Sequence, residues 1–178
     1  MSSRRLFCCI AFSLLALTGC VSIPDTYAPP MQRKPVTGPE PSSLREFVRV
    51  DEPAAEVHFL RDISPHVEAG RFRWTQQKPT FQFQLKDISH RKLRLEFHLH
   101  SDVLKATGPL TIKYSVNGRP LESVTYTKDG AQIFEKLVPL NWLTVDSPTV
   151  VTANLSGTLK TPDGNSLGLI LTAAGFLE

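Results

Sequence analysis

Residues 93–100 read LRLEFHLH, a stretch in which apolar and polar side chains alternate without a break. Successive side chains of a β-strand point to opposite faces of the sheet. The alternation therefore predicts a strand with one face in a core and the other in water. The core face is expected to carry Leu93, Leu95, Phe97 and Leu99. The outer face is expected to carry Arg94, Glu96, His98 and His100.

The same two-residue period recurs through residues 44–178. Further β-rich runs are FVRV (47–50), EVHFL (56–60), RFRW (71–74), TFQFQL (80–85), LTIKYSV (110–116), IFEKLV (133–138), TVVTANLSGTL (149–159) and LGLILTAAGFL (167–177). Asn117-Gly118 is a pair that tolerates positive φ at both central positions of a tight hairpin. No run has a sustained helical period, and only VPLNWL (138–143) is expected to form a helical turn. We predict about eight to ten strands in an antiparallel, jelly-roll-like β-sandwich.

Three pieces of the C-terminal half resemble jelly-roll modules of the galactose-binding-like type. They are the hairpin LTIKYSVNGRPLESVTY (110–126), the strand and its Val-Pro ending GAQIFEKLVPLNWL (130–143), and the turn and last strand PDGNSLGLILTAAGF (162–176). The resemblance runs from Trp74 to the end of the chain. It implies a β-sandwich of the kind carried beside glycan-processing enzymes or on bacterial surface proteins. Many such modules bind carbohydrate, although a fold by itself does not settle function.

The first residues, MSSRRLFCCIAFSLLALTGC (1–20), have the basic start, short apolar run and small-residue end of a secretory signal peptide. The apolar run is too short to cross a bilayer as a helix, which needs about 20 residues. Its end, LTGC (17–20), resembles the bacterial lipobox. The resemblance implies that residues 1–19 are removed and that Cys20 becomes a lipidated first residue. Cys8 and Cys9 would leave with the signal, so the mature chain would contain no disulfide.

Residues 20–43 are expected to form a tether between the lipidated cysteine and the domain at 44–178. This segment contains six prolines, which exclude regular helix and favour extended conformations. At about 3.1 Å per residue its reach is about 70 Å. Val21 follows the cysteine in place of Asp, which resembles the outer-membrane address of Gram-negative lipoproteins. We therefore expect a lipid-anchored protein of the bacterial cell envelope, with membrane lipid as its partner through Cys20.

The net charge of +3 is small, and Arg4 and Arg5 account for two of these charges. Nucleic-acid binding requires clustered Lys and Arg to neutralise phosphates, so we expect no nucleic-acid partner.

Enzyme signatures such as G-x-S-x-G, H-E-x-x-H or a phosphate-binding loop do not occur in the sequence. A glycosidase needs two carboxyl groups beside the scissile bond, and the sequence brings no two of its candidate acids together. Those acids are Glu56, Asp62, Glu96 and Asp102. We predict a protein that is not an enzyme and that needs no cofactor.

His98 and His100 would point the same way on a strand, and such a pair can bind a metal ion when further ligands join it. No spacing of that kind follows, so we predict no metal and take Arg94, His98 and His100 as candidate ligand contacts or as a solvated face. Turn residues Asp129, Asp163 and Asn165 leave a structural calcium ion as an open alternative.

The two tryptophans are candidate platforms for a sugar ring. Trp142 lies in a predicted loop and is the preferred candidate. Trp74 follows Phe72 at strand spacing and is expected in the core. The leading functional hypothesis is a non-catalytic module that binds envelope or extracellular glycan. The alternative is a structural or assembly lipoprotein that docks another envelope protein.

Overall fold

The computed structural model describes residues 43–178, so the predicted signal peptide (1–19), Cys20 and all but the last residue of the tether (20–43) lie outside the described residues. Within the described part the strands are β1 Phe47–Arg49, β2 Phe59–Ile63, β3 Arg73–Phe83, β4 Lys92–Leu99, β5 Leu110–Val116, β6 Arg119–Tyr126, β7 Gly130–Leu137, β8 Thr149–Leu155, β9 Leu159–Lys160, β10 Ser166–Leu167 and β11 Ile170–Leu177. The helices are α1 Ser101–Thr107 and two single-turn 3₁₀ helices, Ala55–His58 and Leu140–Trp142. No helix within residues 43–178 has the length and apolar character needed to cross a membrane.

Nine strands form a nearly closed antiparallel sheet in the order β6-β5-β8-β3-β11-β4-β7, with β1 beside β11 and β2 beside β3. Strands β9 and β10 pair with each other in a separate two-stranded hairpin. β3 and β11 pair only where Arg73 faces Leu171 and Trp74 faces Ile170. On one side of this short junction lie β1, β11, β4 and β7, and on the other lie β2, β3, β8, β5 and β6. The predicted all-β antiparallel sandwich is confirmed.

The core lies between these two layers and contains the side chains that the alternation assigned to it. Leu93, Leu95 and Leu99 are 0% exposed and Phe97 is 2% exposed. Aromatic contacts join the layers: Tyr114 of β5 stacks on Phe134 of β7 with 3.6 Å between ring centroids, and Phe83 of β3 meets Phe176 of β11 at 5.8 Å. Tyr114 is 1% exposed, as expected for a core residue.

The β5–β6 hairpin turns at Asn117-Gly118, where φ is 48° and 77°. Both residues occupy the left-handed region, as the sequence predicted for this tight turn. The Asn117 side chain also joins the hairpin to its neighbours, since its Nδ2 donates to the Trp142 carbonyl and its Oδ1 accepts from the Val150 amide, both at 2.8 Å. The helical turn expected within 138–143 is present as the 3₁₀ helix Leu140–Trp142.

Two predictions about the limits of strands were wrong. The run EVHFL (56–60) is mostly the 3₁₀ helix Ala55–His58, and β2 begins only at Phe59. His58 is fully buried there, and both of its ring nitrogens have a hydrogen-bond partner. Its Nδ1 donates to the Gln82 carbonyl at 2.9 Å, and its Nε2 accepts from the Arg45 amide at 3.3 Å.

The second error concerns the end of the stretch LRLEFHLH. β4 ends at Leu99, and His100 is the N-cap of helix α1, which the sequence did not predict. The imidazole Nδ1 accepts from the Asp102 amide at 3.2 Å. Gly108, at φ 71°, ends the helix after only seven residues. So short a helix has too few turns to produce a detectable apolar period. His98 and His100 are therefore not two residues of one strand face.

Candidate functional site

The start of β3 places two aromatic side chains on the outer face of the sheet. Arg73 and Thr75 are buried, whereas Phe72 and Trp74 alternate with them and are half-buried. Trp74 lies directly opposite Ile170 of β11, and Ile170 lies opposite His98 of β4. Directly opposite residues of antiparallel strands share a face. Trp74, Ile170 and His98 therefore form one row across three strands, which we call the Trp74 row.

A groove of about 320 Å³ lies beside Trp74. This groove, the Trp74 groove, runs between the segment 64–68 and the β9–β10 hairpin. Its polar side chains are those of Ser64, His66, Glu68, Thr75, Gln76, Asn165 and Ser166. Its volume is at the lower end of the range for small-molecule sites, which combine an apolar wall with a few polar groups. An indole with carboxylate, amide, imidazole and hydroxyl groups around it has that composition.

Arg73 holds the first wall of the groove in place. The side chain is 2% exposed, and its guanidinium Nη1 donates to the carbonyls of Ser64 and Pro65 at 3.2 and 2.5 Å. Its Nε donates to the Val50 carbonyl at 2.9 Å, and its Nη2 donates to the Glu56 carboxylate. A planar guanidinium can satisfy several acceptors at once. Arg73 is therefore a positioning residue for segment 64–65.

The second wall is fixed by a close approach of backbone to backbone. Gly168, just after β10, donates its amide to the Thr75 carbonyl at 2.7 Å. A Cβ atom at position 168 would lie 2.6 Å from the Gln76 carbonyl oxygen, so only glycine fits there. The Leu169 amide donates to Thr75 Oγ1 at 2.9 Å. These contacts hold the β9–β10 hairpin against β3 and leave Asn165 and Ser166 at the groove.

A second hollow, of about 390 Å³, lies on the other side of the Trp74 row. Carbon atoms form almost all of its surface, and its lining residues are Ala69, Arg71, Phe72, His98, Ile170 and Thr172. The Thr172 hydroxyl donates to the Glu96 carbonyl at 2.9 Å, which occupies its polar atom. We call this depression the Phe72 hollow.

Of the four site residues that the sequence singled out, the structure places His98 and His100 near Trp74, and Arg94 and Trp142 elsewhere. His98 lines the Phe72 hollow, and the His100 ring lies 6.1 Å from the Trp74 ring. Arg94 instead forms ion pairs with Glu96 at 2.8 Å and with Glu135 at 3.3 Å. Within residues 43–178 no three His, Cys, Asp or Glu side chains gather in a way that could hold a metal ion.

Trp142 lies in a different environment from the Trp74 row. It belongs to the 3₁₀ helix between β7 and β8 and, like Trp74, it is half-buried and packs against the core. The Arg119 guanidinium lies 5.8 Å from the centre of its ring, and Arg119 Nη1 donates to the Asn141 carbonyl at 3.2 Å. One face of the indole is thus partly covered by the arginine, and Trp142 lines neither the groove nor the hollow.

The candidate acids are held apart by separate partners. Glu56 binds Arg73, and Asp62 accepts from the Lys78 amide at 2.8 Å. Asp102 pairs with Lys105 at 2.8 Å, and Glu96 pairs with Arg94.

A hydrogen bond from Lys105, together with its charge, lowers the pKa of Asp102. The pKa of Glu56 is lowered by a hydrogen bond from the backbone amide of Glu56 itself and, to a smaller extent, by Arg73, although desolvation acts in the opposite direction. A general acid needs a raised carboxyl pKa, so neither group suits that role.

The groove residues escaped the sequence analysis because RFRW was interpreted with the aromatic face inward. In an alternating run of two arginines and two aromatics, either pair can face the core, and the hydrophobic effect favours burial of the aromatic pair. Tertiary hydrogen bonds to Arg73 reverse that preference. His66 and Glu68 form no motif in the sequence. They come to lie beside Trp74 only when residues 68–72 fold into a tight hairpin, in which the Glu68 amide donates to the Phe72 carbonyl at 2.8 Å.

Comparison with protein-family models and with curated proteins gives no match. Among solved structures, a family GH115 4-O-methyl-α-glucuronidase with specificity for decorated arabinogalactans is similar over 77% of this chain and 18% of its own, at 11% identity and a TM-score of 0.44. An acetyl xylan esterase from the rumen bacterium Butyrivibrio proteoclasticus is similar over 76% of this chain and 34% of its own, at 8% identity and a TM-score of 0.42. A family 35 carbohydrate-binding module from Clostridium thermocellum is similar over 65% of this chain and 86% of its own, at 11% identity and a TM-score of 0.36.

Proposed function

We propose that residues 43–178 form a non-catalytic module that binds glycan in the Trp74 groove. The observation that carries this proposal is the half-buried Trp74 indole in a groove lined by Glu68, Gln76 and Asn165. The C–H face of a sugar ring can stack on an indole. The carboxylate and amide groups can bind its hydroxyls, because they accept and donate hydrogen bonds in the plane of the ring.

The absence of catalysis belongs to the same proposal. It is supported by the separate salt bridges and hydrogen bonds of Glu56, Asp62, Glu96 and Asp102 described above. Glu68 lines the groove, but no second carboxyl group lines it with Glu68 among the described residues. Hydrolysis of a glycosidic bond by the usual mechanisms requires two.

We further propose that the module is anchored to the outer membrane of the bacterial cell envelope through a lipidated Cys20. The basic start, the apolar run and LTGC (17–20) support this proposal. Intact mass measurement of the chain purified from membranes tests it. The expected result is a mature protein that begins at residue 20 with the added mass of acyl groups. A Cys20→Ser chain that still carries these acyl groups would contradict it.

A glycan array probed with the fragment 43–178 tests the binding proposal. We expect binding to at least one glycan class, and calorimetry with that glycan then compares Trp74→Ala with Trp142→Ala. Loss of a central aromatic anchor costs at least about 2 kcal/mol, or about 30-fold in affinity, so we expect this loss for Trp74→Ala only. Absence of binding across the array, or a Trp74→Ala protein with unchanged affinity, would contradict the proposal. A loss confined to Trp142→Ala would instead favour the site preferred from the sequence.

A protein-docking function is the second candidate, and one observation favours it. The edge strand β7 exposes Ile133 and Leu137, which are 59% and 54% accessible. Exposed apolar side chains on an unpaired edge are typical of strand-to-strand association. Crosslinking in intact cells with a photoreactive residue at position 133 should then recover one reproducible envelope protein. A matched probe at the exposed His66 should not recover it. Equal recovery at both positions would exclude β7 as the docking edge.

A further inference from the structure

The Trp74 row separates two depressions of opposite character. The Trp74 groove is lined by Glu68, Gln76 and Asn165, and the Asn165 Nδ2 already donates to the Asp163 carboxylate. The Phe72 hollow presents almost only carbon, from Ala69, Phe72 and Ile170 above all. Both depressions adjoin the same hairpin, since Glu68 lines the first and the next residue, Ala69, lines the second.

The two depressions are close enough for one small ligand to occupy both. Phe72 and Trp74 are two positions apart on one face, which corresponds to about 6.6 Å at 3.3 Å per residue. Ile170 lies opposite Trp74 and lines the Phe72 hollow, so no strand separates the two surfaces. A ligand that stacks a ring on Trp74 can therefore extend a substituent over Ile170 towards Phe72.

We infer that the ligand is a glycan with an apolar substituent, such as an acyl or alkyl group, which lies in the Phe72 hollow while the sugar occupies the Trp74 groove. The inference rests on the proposed glycan-binding function and adds the ligand class to it. An unsubstituted sugar would leave the carbon-lined hollow in water, whereas an aliphatic chain removes apolar surface from water on both partners. This gain amounts to about 0.8 kcal/mol for each methylene that is fully buried.

The polar atoms at the hollow are compatible with this assignment. Arg71 and His98 are exposed side chains whose carbon atoms contribute to the lining, while the Thr172 hydroxyl is already bonded to the Glu96 carbonyl. An aliphatic chain in the hollow therefore desolvates no unpaired hydroxyl. The Arg71 guanidinium and the His98 imidazole can stay in water, as the polar ends of amphipathic side chains do elsewhere.

A homologous series of alkyl glucosides tests the inference with the full chain. The probes are methyl, butyl, hexyl and octyl β-D-glucopyranoside, each below its micelle concentration, with binding measured by calorimetry. We expect the affinity of the unmodified protein to rise with chain length by up to about fourfold per buried methylene, the equivalent of about 0.8 kcal/mol. Phe72→Ala and, independently, Ile170→Ala should flatten this rise. Leu60→Ser, which removes an exposed apolar side chain of β2, is the matched control and should leave the rise unchanged.

The outcomes separate this inference from the function on which it rests. Equal affinity along the series overturns the inference. So does absence of octyl glucoside binding, or an unchanged rise in both the Phe72→Ala and Ile170→Ala proteins. The glycan array with Trp74→Ala decides independently whether the module binds glycan at all. A chain-length effect that Leu60→Ser also abolishes would show nonspecific adsorption and would overturn the inference as well.

Discussion

Arg73 is expected to be the side chain whose replacement most damages both the fold and the groove. Its guanidinium joins three parts of the chain: Val50 just after β1, Glu56 in the 3₁₀ helix, and the segment 64–65. Arg73→Met keeps most of the length and the apolar stem but removes every donor. In the sequence, Arg73 is only a charged residue in a short alternating run, a position at which a substitution is expected to be mild.

The expected loss follows from the bonds that disappear. The carbonyls of Val50, Ser64 and Pro65 each lose a charged donor, and a hydrogen bond to a charged group contributes about 1.5–3 kcal/mol. Segment 64–65 is partly exposed, so water replaces some of these bonds. Glu56 is 57% exposed and is rehydrated at little cost. The net loss in the free energy of unfolding is therefore about 3–5 kcal/mol, the size found when a buried ion pair is broken.

Urea unfolding at neutral pH, followed by tryptophan fluorescence, measures this loss. With a slope of about 2 kcal/mol/M, the midpoint should fall by about 2 M. Arg71→Met is the matched control, since Arg71 is exposed two residues earlier and makes no side-chain hydrogen bond or ion pair within residues 43–178. Arg73→Lys should lie between the two, because a lysine ammonium cannot reach all four acceptors. If the free energies of unfolding of the Arg73→Met and Arg71→Met proteins differ by less than about 1 kcal/mol, Arg73 is not the positioning residue inferred from its hydrogen bonds.

Two further predictions concern stability. Burial lowers the pKa of His58, so the unfolded chain binds more protons below pH 6.5 than the folded one does. The contribution of His58 to the free energy of unfolding is complete above about pH 6.5. It is lost as the pH falls through the lowered pKa that His58 has in the folded chain. The urea midpoint should therefore fall between pH 7.5 and pH 5, and less so in His58→Gln. Gly175→Ala should cost about 2–4 kcal/mol, because its Cβ would lie 2.3 Å from the Glu46 carbonyl oxygen.

Matched variants separate these effects from general destabilisation. His90→Gln changes an exposed histidine and should leave the pH dependence as it is in the unmodified chain. If the urea midpoint falls equally between pH 7.5 and pH 5 in the unmodified chain and in His58→Gln, the buried imidazole is not the cause of the pH dependence. Gly164→Ala shares a positive φ, 84°, but its Cβ would meet no atom within 4 Å. It should cost only about 1 kcal/mol in backbone strain. A Gly175→Ala loss no larger than that would contradict the proposed clash.

The groove shows why local pattern was sufficient for the core and insufficient for the site. Leu93, Leu95 and Phe97 are buried as their alternation predicted, because a slip of one residue would expose the whole apolar set. At residues 71–74 the alternation allowed two assignments. The aromatic side chains remained on the outer face because Arg73, on the inner face, finds carbonyl acceptors there, that of the buried Val50 among them.

The sequence by itself determined the antiparallel all-β class, most of the core faces and the Asn117-Gly118 hairpin. These features depend on interactions between near neighbours, on side-chain period and on backbone freedom at single residues. Only the tertiary structure decided that His98 and His100 part at the end of β4, that Arg94 is engaged in ion pairs, and that Trp74 faces a groove. The position of Trp74 depends on the pairing of β3 with β11, and the ion pair of Arg94 with Glu135 depends on the pairing of β4 with β7, strands that are apart in the chain. The two histidines part because helix α1 begins directly after His100. Contacts between distant segments set the position of a side chain relative to its partners, and no local pattern carries that information.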